Sequence, residues 1–245
     1  MTGQTQDHRL VITIDGPVAA GKSTVARHLA DRLGAILFDT GTLYRAVTLA
    51  ALSRAVSPDA AEALADLAKT RQIDVRRPTP GLGRLYDVTM DDEDVTDQIR
   101  HPLVDRHVSV VSAHPAVRAA LLPVQREIAG RGAVVMVGRD TGSVVVPDAG
   151  LKIYLDASPE ERAERRHAEL VARGMDRTYE EVLADLHRRD EIDGARDASP
   201  LMVAEGATIV RSDGKSVADL VDEIAAMAEA RWAESGVVVG DREPR

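Results

Sequence analysis

The sequence contains no cysteine, which excludes disulfides, thiolate zinc sites, iron–sulfur ligation and a cysteine nucleophile. Aromatic residues are almost as scarce. One Trp, one Phe and four Tyr among 245 residues are too few for the stacking platforms that bind single-stranded nucleic acid. Lys and Arg number 31 against 40 Asp and Glu, a net charge of −9. A global basic field is therefore missing, and an anionic ligand has to be met by local cations. No apolar run reaches the ~18 residues of a membrane-spanning helix, and the polar start from Met1 to His8 lacks a signal-peptide core. The expectation is a cytoplasmic chain with neither a nucleic-acid nor a membrane partner. What is present, 44% hydrophobic and 29% charged residues, suits one compact unit that can carry inserts.

Leu10 to Ile14 is a short β-branched run closed by Asp15, Gly16 and Pro17, and it reads as a buried strand. From Ser23 the positions Val25, Ala26, Leu29, Ala30 and Leu33 share one helix face, with Gly34 where a C-terminal cap belongs. Ala35 to Phe38 is a second strand, so the first thirty patterned residues form a βαβ unit. Helical patterning follows at 43–52 and 58–68, then a segment at 73–95 with strand-like alternation around a Pro- and Gly-rich turn. Helical spacing resumes from Pro102 to Ile128, and Ala133 to Val137 and Lys152 to Leu155 read as further core strands. Ser158 with Pro159 opens a helix ended by Gly174, and a capping box from Thr178 to Glu181 opens a charged one. Thr208 to Arg211 is the last strand. Ser216 caps a final helix with the stripe Val217, Leu220, Val221, Ile224 and Met227, and the end from about Ser235 is expected to fray. The alternation predicts a doubly wound α/β fold with a parallel sheet.

Gly16, Pro17, Val18, Ala19, Ala20, Gly21, Lys22 and Ser23 match G-x-x-x-x-G-K-[ST] between a predicted strand and a predicted helix, the context this motif requires. Such a loop wraps its N–H groups around a nucleoside triphosphate's phosphates. Lys22 adds positive charge, Ser23 is placed to hold Mg²⁺, and Thr24 extends the hydroxyl set. The motif implies ATP-type binding without saying what is done with it.

The arginines bear on that question. Arg45 follows Asp39, Thr40 and Gly41 at the carboxyl end of the second strand, and Arg139 with Asp140 follows the strand ending at Val137. Ligands bind along that edge of an open α/β sheet, and two guanidinium groups there can converge on a second phosphate. Arg162, Arg165, Arg166 and Arg173 lie on one helix, interspersed with Glu160, Glu161, Glu164 and Glu169. They read either as a solvated, ion-paired face or as a lid closing over the transferred phosphoryl group. The run from Arg188 to Arg196 reads either as a solvated charged face or as a site for an acceptor's phosphate and sugar. On residues alone, a kinase for a small acceptor and a P-loop ATPase without an acceptor both remain open.

Longer segments narrow the choice. Phe38 to Arg45, Glu93 to Arg100, Ser112 to Arg118, Gly138 to Asp148, Lys152 to Leu155, and Arg189 and Asp190 through Ser199 to Leu201, together with the P-loop, resemble the bacterial cytidylate kinases from about Leu10 to Met227. The resemblance implies a P-loop core at 9–66 and 107–235, a β-containing nucleoside monophosphate insert at 67–106 and a short helical lid at 157–174. It implies transfer of the γ-phosphoryl of ATP to CMP or dCMP with Mg²⁺, by a chain sufficient as a monomer. It further implies Arg45, Arg139 and Arg196 on the acceptor phosphate, and Arg189 with Asp193 near its sugar. Ser109, Arg118 and Asp140 would stand at the base, and Thr40 where many relatives carry serine. Lys22 and the lid arginines Arg162 and Arg166 would stabilise transferring charge. The scattered histidines are expected to be structural or exposed, because an anionic acceptor needs no general base.

Overall fold

The computed structural model describes residues 10–172, 174–195 and 201–234; the end expected to fray lies outside them. Its centre is β1 (Val11–Asp15), buried at every position. Val11, Ile12 and Ile14 supply the apolar surface that a strand covered on both faces of a parallel sheet needs, with Thr13 and Asp15 buried among them. β1 pairs in parallel with β6 (Val134–Val137) on one side and β7 (Leu151–Asp156) on the other; β2 (Ile36–Asp39) adds beyond β6, and β8 (Thr208–Arg211) beyond β7. All five strands run the same way, so their carboxyl ends form one rim. Register sharpens this: Ile14 and Asp39 both stand opposite Val137. The segments beginning at Asp15, Thr40 and Gly138 therefore leave the sheet side by side.

The helices cover that sheet. α1 (Lys22–Leu33) buries the face read from the sequence and ends at Gly34, whose φ of 62° lets its N–H reach Ala30 and Asp31 carbonyls. α2 (Gly41–Ser53) and α3 (Ala61–Thr70) follow. A separate antiparallel sheet of β3 (Ile73–Arg76), β4 (Asp87–Met90) and the two-residue β5 (Glu93–Asp94) forms the 73–95 segment. The single helical run expected from Pro102 to Ile128 is two helices, α4 (Pro102–Ala113) and α5 (Pro115–Ala129). Pro115 is the reason, because it forces His114 out of the helical region to ψ 119°. After β6, residues Thr141–Val145 make a single π turn that period counting does not reveal.

α6 (Pro159–Ala172) and α7 (Tyr179–Gly194) share a small core of Ala163, Leu170, Val182 and Leu186, against which Val18 and Ala19 of the P-loop pack. The Thr178–Glu181 capping box is present as read. α8 (Val217–Glu234) buries Leu220, Val221 and Ile224 as expected. Val217 is exposed, however, and Ala225, Ala228 and Trp232 complete the buried face instead. Among the described residues, no helix is long and apolar enough to cross a membrane.

The turn out of β1 has no room to vary. Gly16 has φ 144°, and a β-carbon there would overlap the Leu155 carbonyl oxygen, which is backbone and cannot yield. Gly34 also has a positive φ but faces open space. Gly16→Ala is therefore expected to cost at least ~3 kcal/mol, while Gly34→Ala costs the strain alone, ~1 kcal/mol. Thermal melts should show a drop of roughly 10 °C for the first and a few degrees for the second.

Candidate active site

The P-loop spans Gly16 to Ser23 between β1 and α1, as its motif requires. Ala19 at φ 62° holds a left-handed conformation, strain that is typical of functional loops. The Lys22 ammonium lies inside the loop, donating to the Gly16 carbonyl at 2.8 Å and the Pro17 carbonyl at 2.5 Å. Burial pushes its pKa well below the usual lysine value, the Arg139 charge pushes the same way, and Asp39, Asp15 and Asp193 oppose them. Ser23 Oγ donates to Asp39 Oδ2 at 3.2 Å, and Thr24 is exposed at the start of α1.

The site pairs this loop with residues from the other strand ends. Thr40 is buried and its hydroxyl donates to the Val137 carbonyl at 3.0 Å. Arg139 Nε pairs with the buried Asp193 at 2.8 Å, which joins β6 to α7. Burial lowers the Arg189 pKa, and Arg139 lowers it further while Asp193 opposes. Lys22, Arg139 and Arg189 thus share one electrostatic neighbourhood, where an anion relieves their mutual repulsion. Arg45 is turned toward the insert, bonded to Asp105 at 2.5 Å and to the Ile99 carbonyl at 3.2 Å. Arg196 lies outside the described residues.

Beside the rim lies a cavity of about 170 Å³ lined by Tyr44, Arg118, Gln125, Asp140 and apolar residues including Pro115, Leu122 and Val145. Arg118 and Asp140 are both buried and form a direct ion pair. Burial disfavours the guanidinium charge, but Tyr44 and Asp140 outweigh it and raise the Arg118 pKa. Arg118 also lies over the Tyr44 ring, 5.2 Å from its centroid, and donates to the Ser112 carbonyl at 3.1 Å. Ser109 is half-buried one turn earlier on α4.

On α6, Arg162 is buried. It pairs with Asp190 at 2.7 Å and donates to the Val18 carbonyl at 3.1 Å. Arg166 pairs with Glu169 at 2.7 Å. Arg165 binds both the hydroxyl and the carbonyl of Ser212, and its Nη1 would be 3.7 Å from a β-carbon on Gly21. Arg162 and Arg165 thus both reach the P-loop, a placement that sequence position does not distinguish. Tyr44, Gln125 and Asp105 likewise went unread as site residues, since their roles depend on contacts between separate helices.

Ser23 and Asp39 suit a magnesium ion. Both offer hard oxygens at the loop's mouth, and Mg²⁺ is ordinarily held by one or two protein oxygens plus water and phosphate.

A parallel sheet, a P-loop at the end of its central strand, and a cationic rim beside a small cavity define a P-loop phosphotransferase-type α/β protein. The chain belongs to the cytidylate kinase family, whose model matches residues 12–230. It is 51% identical over 213 residues to the cytidylate kinase of Herpetosiphon aurantiacus, covering 87% of this chain and 91% of that one. It is 48% identical to the cytidylate kinase of Roseiflexus castenholzii, over 91% and 94% of the two chains. A crystal structure of an uncharacterized protein from Eubacterium ventriosum shares the fold alone, with a TM-score of 0.51 and 14% identity over 91% of this chain and 99% of that one.

The buried pair carries a stability prediction. Asp140→Ala strands the Arg118 charge, at an expected cost of about 3–5 kcal/mol, on the order of 10 °C in a thermal melt. The double variant Arg118→Met with Asp140→Leu should recover most of that loss. A single variant as stable as the parent would show that the pair is solvated.

Proposed function

We propose that this protein transfers the γ-phosphoryl group of ATP to the α-phosphate of CMP or dCMP, giving ADP with CDP or dCDP. The observation that carries the reading is that Lys22 inside the P-loop, Arg139 paired with Asp193, and a cavity bearing the Arg118–Asp140 pair all follow the carboxyl ends of the neighbouring strands β1 and β6. A triphosphate needs the first; a second, nucleotide-sized anion accounts for the rest.

The P-loop N–H groups and Lys22 hold the donor phosphates. Arg139 and Arg189, with Arg45 and Arg196, bind the acceptor phosphate and sugar, Asp193 setting Arg139 and meeting the sugar hydroxyls. An acceptor phosphate oxygen attacks the γ-phosphorus in line, and the bond from that phosphorus to the β,γ-bridging oxygen breaks. The acceptor oxygen is already anionic, so no proton has to be removed first, and positioning with charge stabilisation supplies the catalysis. Ser23 and Asp39 would hold Mg²⁺, which would supply positive charge at the donor phosphates. Arg162, fixed to the Val18 carbonyl, links α6 to the loop apex, and Arg165 and Arg166 lie on the same helix. One chain carries both proposed substrate sites, so a monomer suffices in this reading.

Cytosine presents an exocyclic amine that the Asp140 carboxylate accepts, and a ring nitrogen and carbonyl that accept from Arg118 and Ser109. Uracil places a carbonyl against Asp140 instead. That mismatch costs about 1–3 kcal/mol, one to two decades of preference for CMP over UMP. Incubation with ATP, Mg²⁺ and CMP, dCMP, UMP, AMP, GMP or shikimate, followed by phosphorus NMR, tests the reading. Diphosphate is expected from CMP and dCMP well ahead of UMP. ATP hydrolysis indifferent to the acceptor would refute transfer and leave an ATPase.

Two variants separate the roles. Lys22→Met is expected to abolish turnover while CMP binding, measured by calorimetry, stays largely intact. Asp140→Asn is expected to raise the KM for CMP much more than that for ATP and to collapse the CMP-to-UMP ratio of kcat/KM. Equal effects on both substrates would remove Asp140 from the base site.

A further inference from the structure

The π turn at Thr141–Val145 directly follows Asp140, and Val144 and Val145 of the turn line the same cavity. Its hydrogen bonds run back to Asp140, whose carbonyl accepts from the Val144 and Val145 N–H groups at 2.9 and 3.2 Å. The placing of Asp140 therefore depends on the placing of the turn. A π turn has poor intrinsic stability and survives where its surroundings hold it.

Two charged side chains from other elements do this. At its start, Asp15 takes three hydrogen bonds: from the Thr141 N–H at 2.9 Å, the Thr141 hydroxyl at 2.8 Å and the Gly142 N–H at 2.8 Å. At its end, Arg126 of α5 donates from Nε to the Val145 carbonyl at 3.0 Å and from Nη2 to the Val144 carbonyl at 3.1 Å. Asp15 is buried and is the last residue before the P-loop. Close packing reinforces the first clamp. A β-carbon on Gly138 would lie 2.5 Å from the Thr141 methyl, and one on Gly142 would lie 2.7 Å from the Thr13 hydroxyl.

We propose that Asp15 and Arg126 are positioning residues for acceptor selection, clamping the two ends of the π turn so that Asp140 is held at the base edge. The proposal rests on the reading of Asp140 as the residue that accepts from the cytosine amine. Asp15 thereby ties the acceptor side to the donor loop through a single residue, since its own main chain continues into Gly16. Arg126 acts only on the acceptor side, which makes it the cleaner probe.

The experiment is steady-state kinetics with CMP, UMP and ATP on the full chain and on Arg126→Met, Arg126→Lys, Asp15→Asn and Asp140→Asn. Misplacement of a positioned group by about an ångström costs up to about a hundredfold. The expected effect of Arg126→Met is about a tenfold rise in the KM for CMP and about a tenfold loss in the CMP-to-UMP ratio, with the KM for ATP within about twofold. Arg126→Lys, which keeps the charge and a donor but not the two-nitrogen fork, should recover part of the ratio. Asp15→Asn turns one of the accepting oxygens into a donor facing N–H groups, so it should lower the ratio at least as far. Where that variant yields little folded protein, the Arg126 pair decides. A CMP-to-UMP ratio unchanged in Arg126→Met but lost in Asp140→Asn overturns the proposal while keeping the base reading. A ratio unchanged in Asp140→Asn overturns both. Equal rises in both KM values in Arg126→Met also overturn it, because they mark general loosening.

Discussion

Gathering Lys22, Arg139 and Arg189 at one edge of a sheet is electrostatically uphill. Burial already disfavours the Lys22 and Arg189 charges, and Arg139 adds to the penalty at both. A chain that keeps such a cluster needs a rigid frame and internal counter-groups. The frame is the parallel sheet, whose register aligns the ends of β1, β2 and β6 to within a residue. The counter-groups are the Gly16 and Pro17 carbonyls on Lys22 and the buried Asp193 on Arg139. An anion placed beside Lys22 and Arg139 would offset their mutual repulsion.

The same logic explains why the surrounding elements are fastened to the site rather than merely packed near it. α6 reaches the loop apex through Arg162 and the Val18 carbonyl, and the small apolar core between α6 and α7 includes Val18 and Ala19 as neighbours. α7 returns Asp193 to Arg139 and Asp190 to Arg162. The P-loop, α6, α7 and the segment after β6 are thus linked by charged side chains whose partners sit far apart in the chain.

Much of the fold was legible because its signals are local. The P-loop is contiguous, and the strands announce themselves as short β-branched runs. Gly34 and the Thr178–Glu181 box mark helix ends by chemistry that acts within four residues. Periodicity misleads where a local signal competes with it. The break at Pro115 was hidden inside a continuous apolar pattern, the π turn has no period to recognise, and Trp232 joined the buried face of α8 past the stripe that was counted. Among site residues, Lys22, Ser23, Arg45, Arg139 and Asp140 stand in motifs or at strand ends. Ser109 and Arg118 entered only through the family resemblance, because a single serine or arginine on a helix carries no signal of its own.

The sequence by itself determined the class of fold, the phosphate loop and the presence of more arginine near strand ends than one triphosphate needs. These follow from spacing along the chain, and spacing is what a sequence states. Tertiary structure alone decided the partners. Arg118 met Asp140 over Tyr44, Arg162 turned to Asp190, Arg165 rather than Arg166 came to stand over Gly21, and Asp15 and Arg126 closed on the two ends of one short turn. A charged side chain has several counter-ions within reach of its composition, and which one it finds is settled by the packing of helices against the sheet.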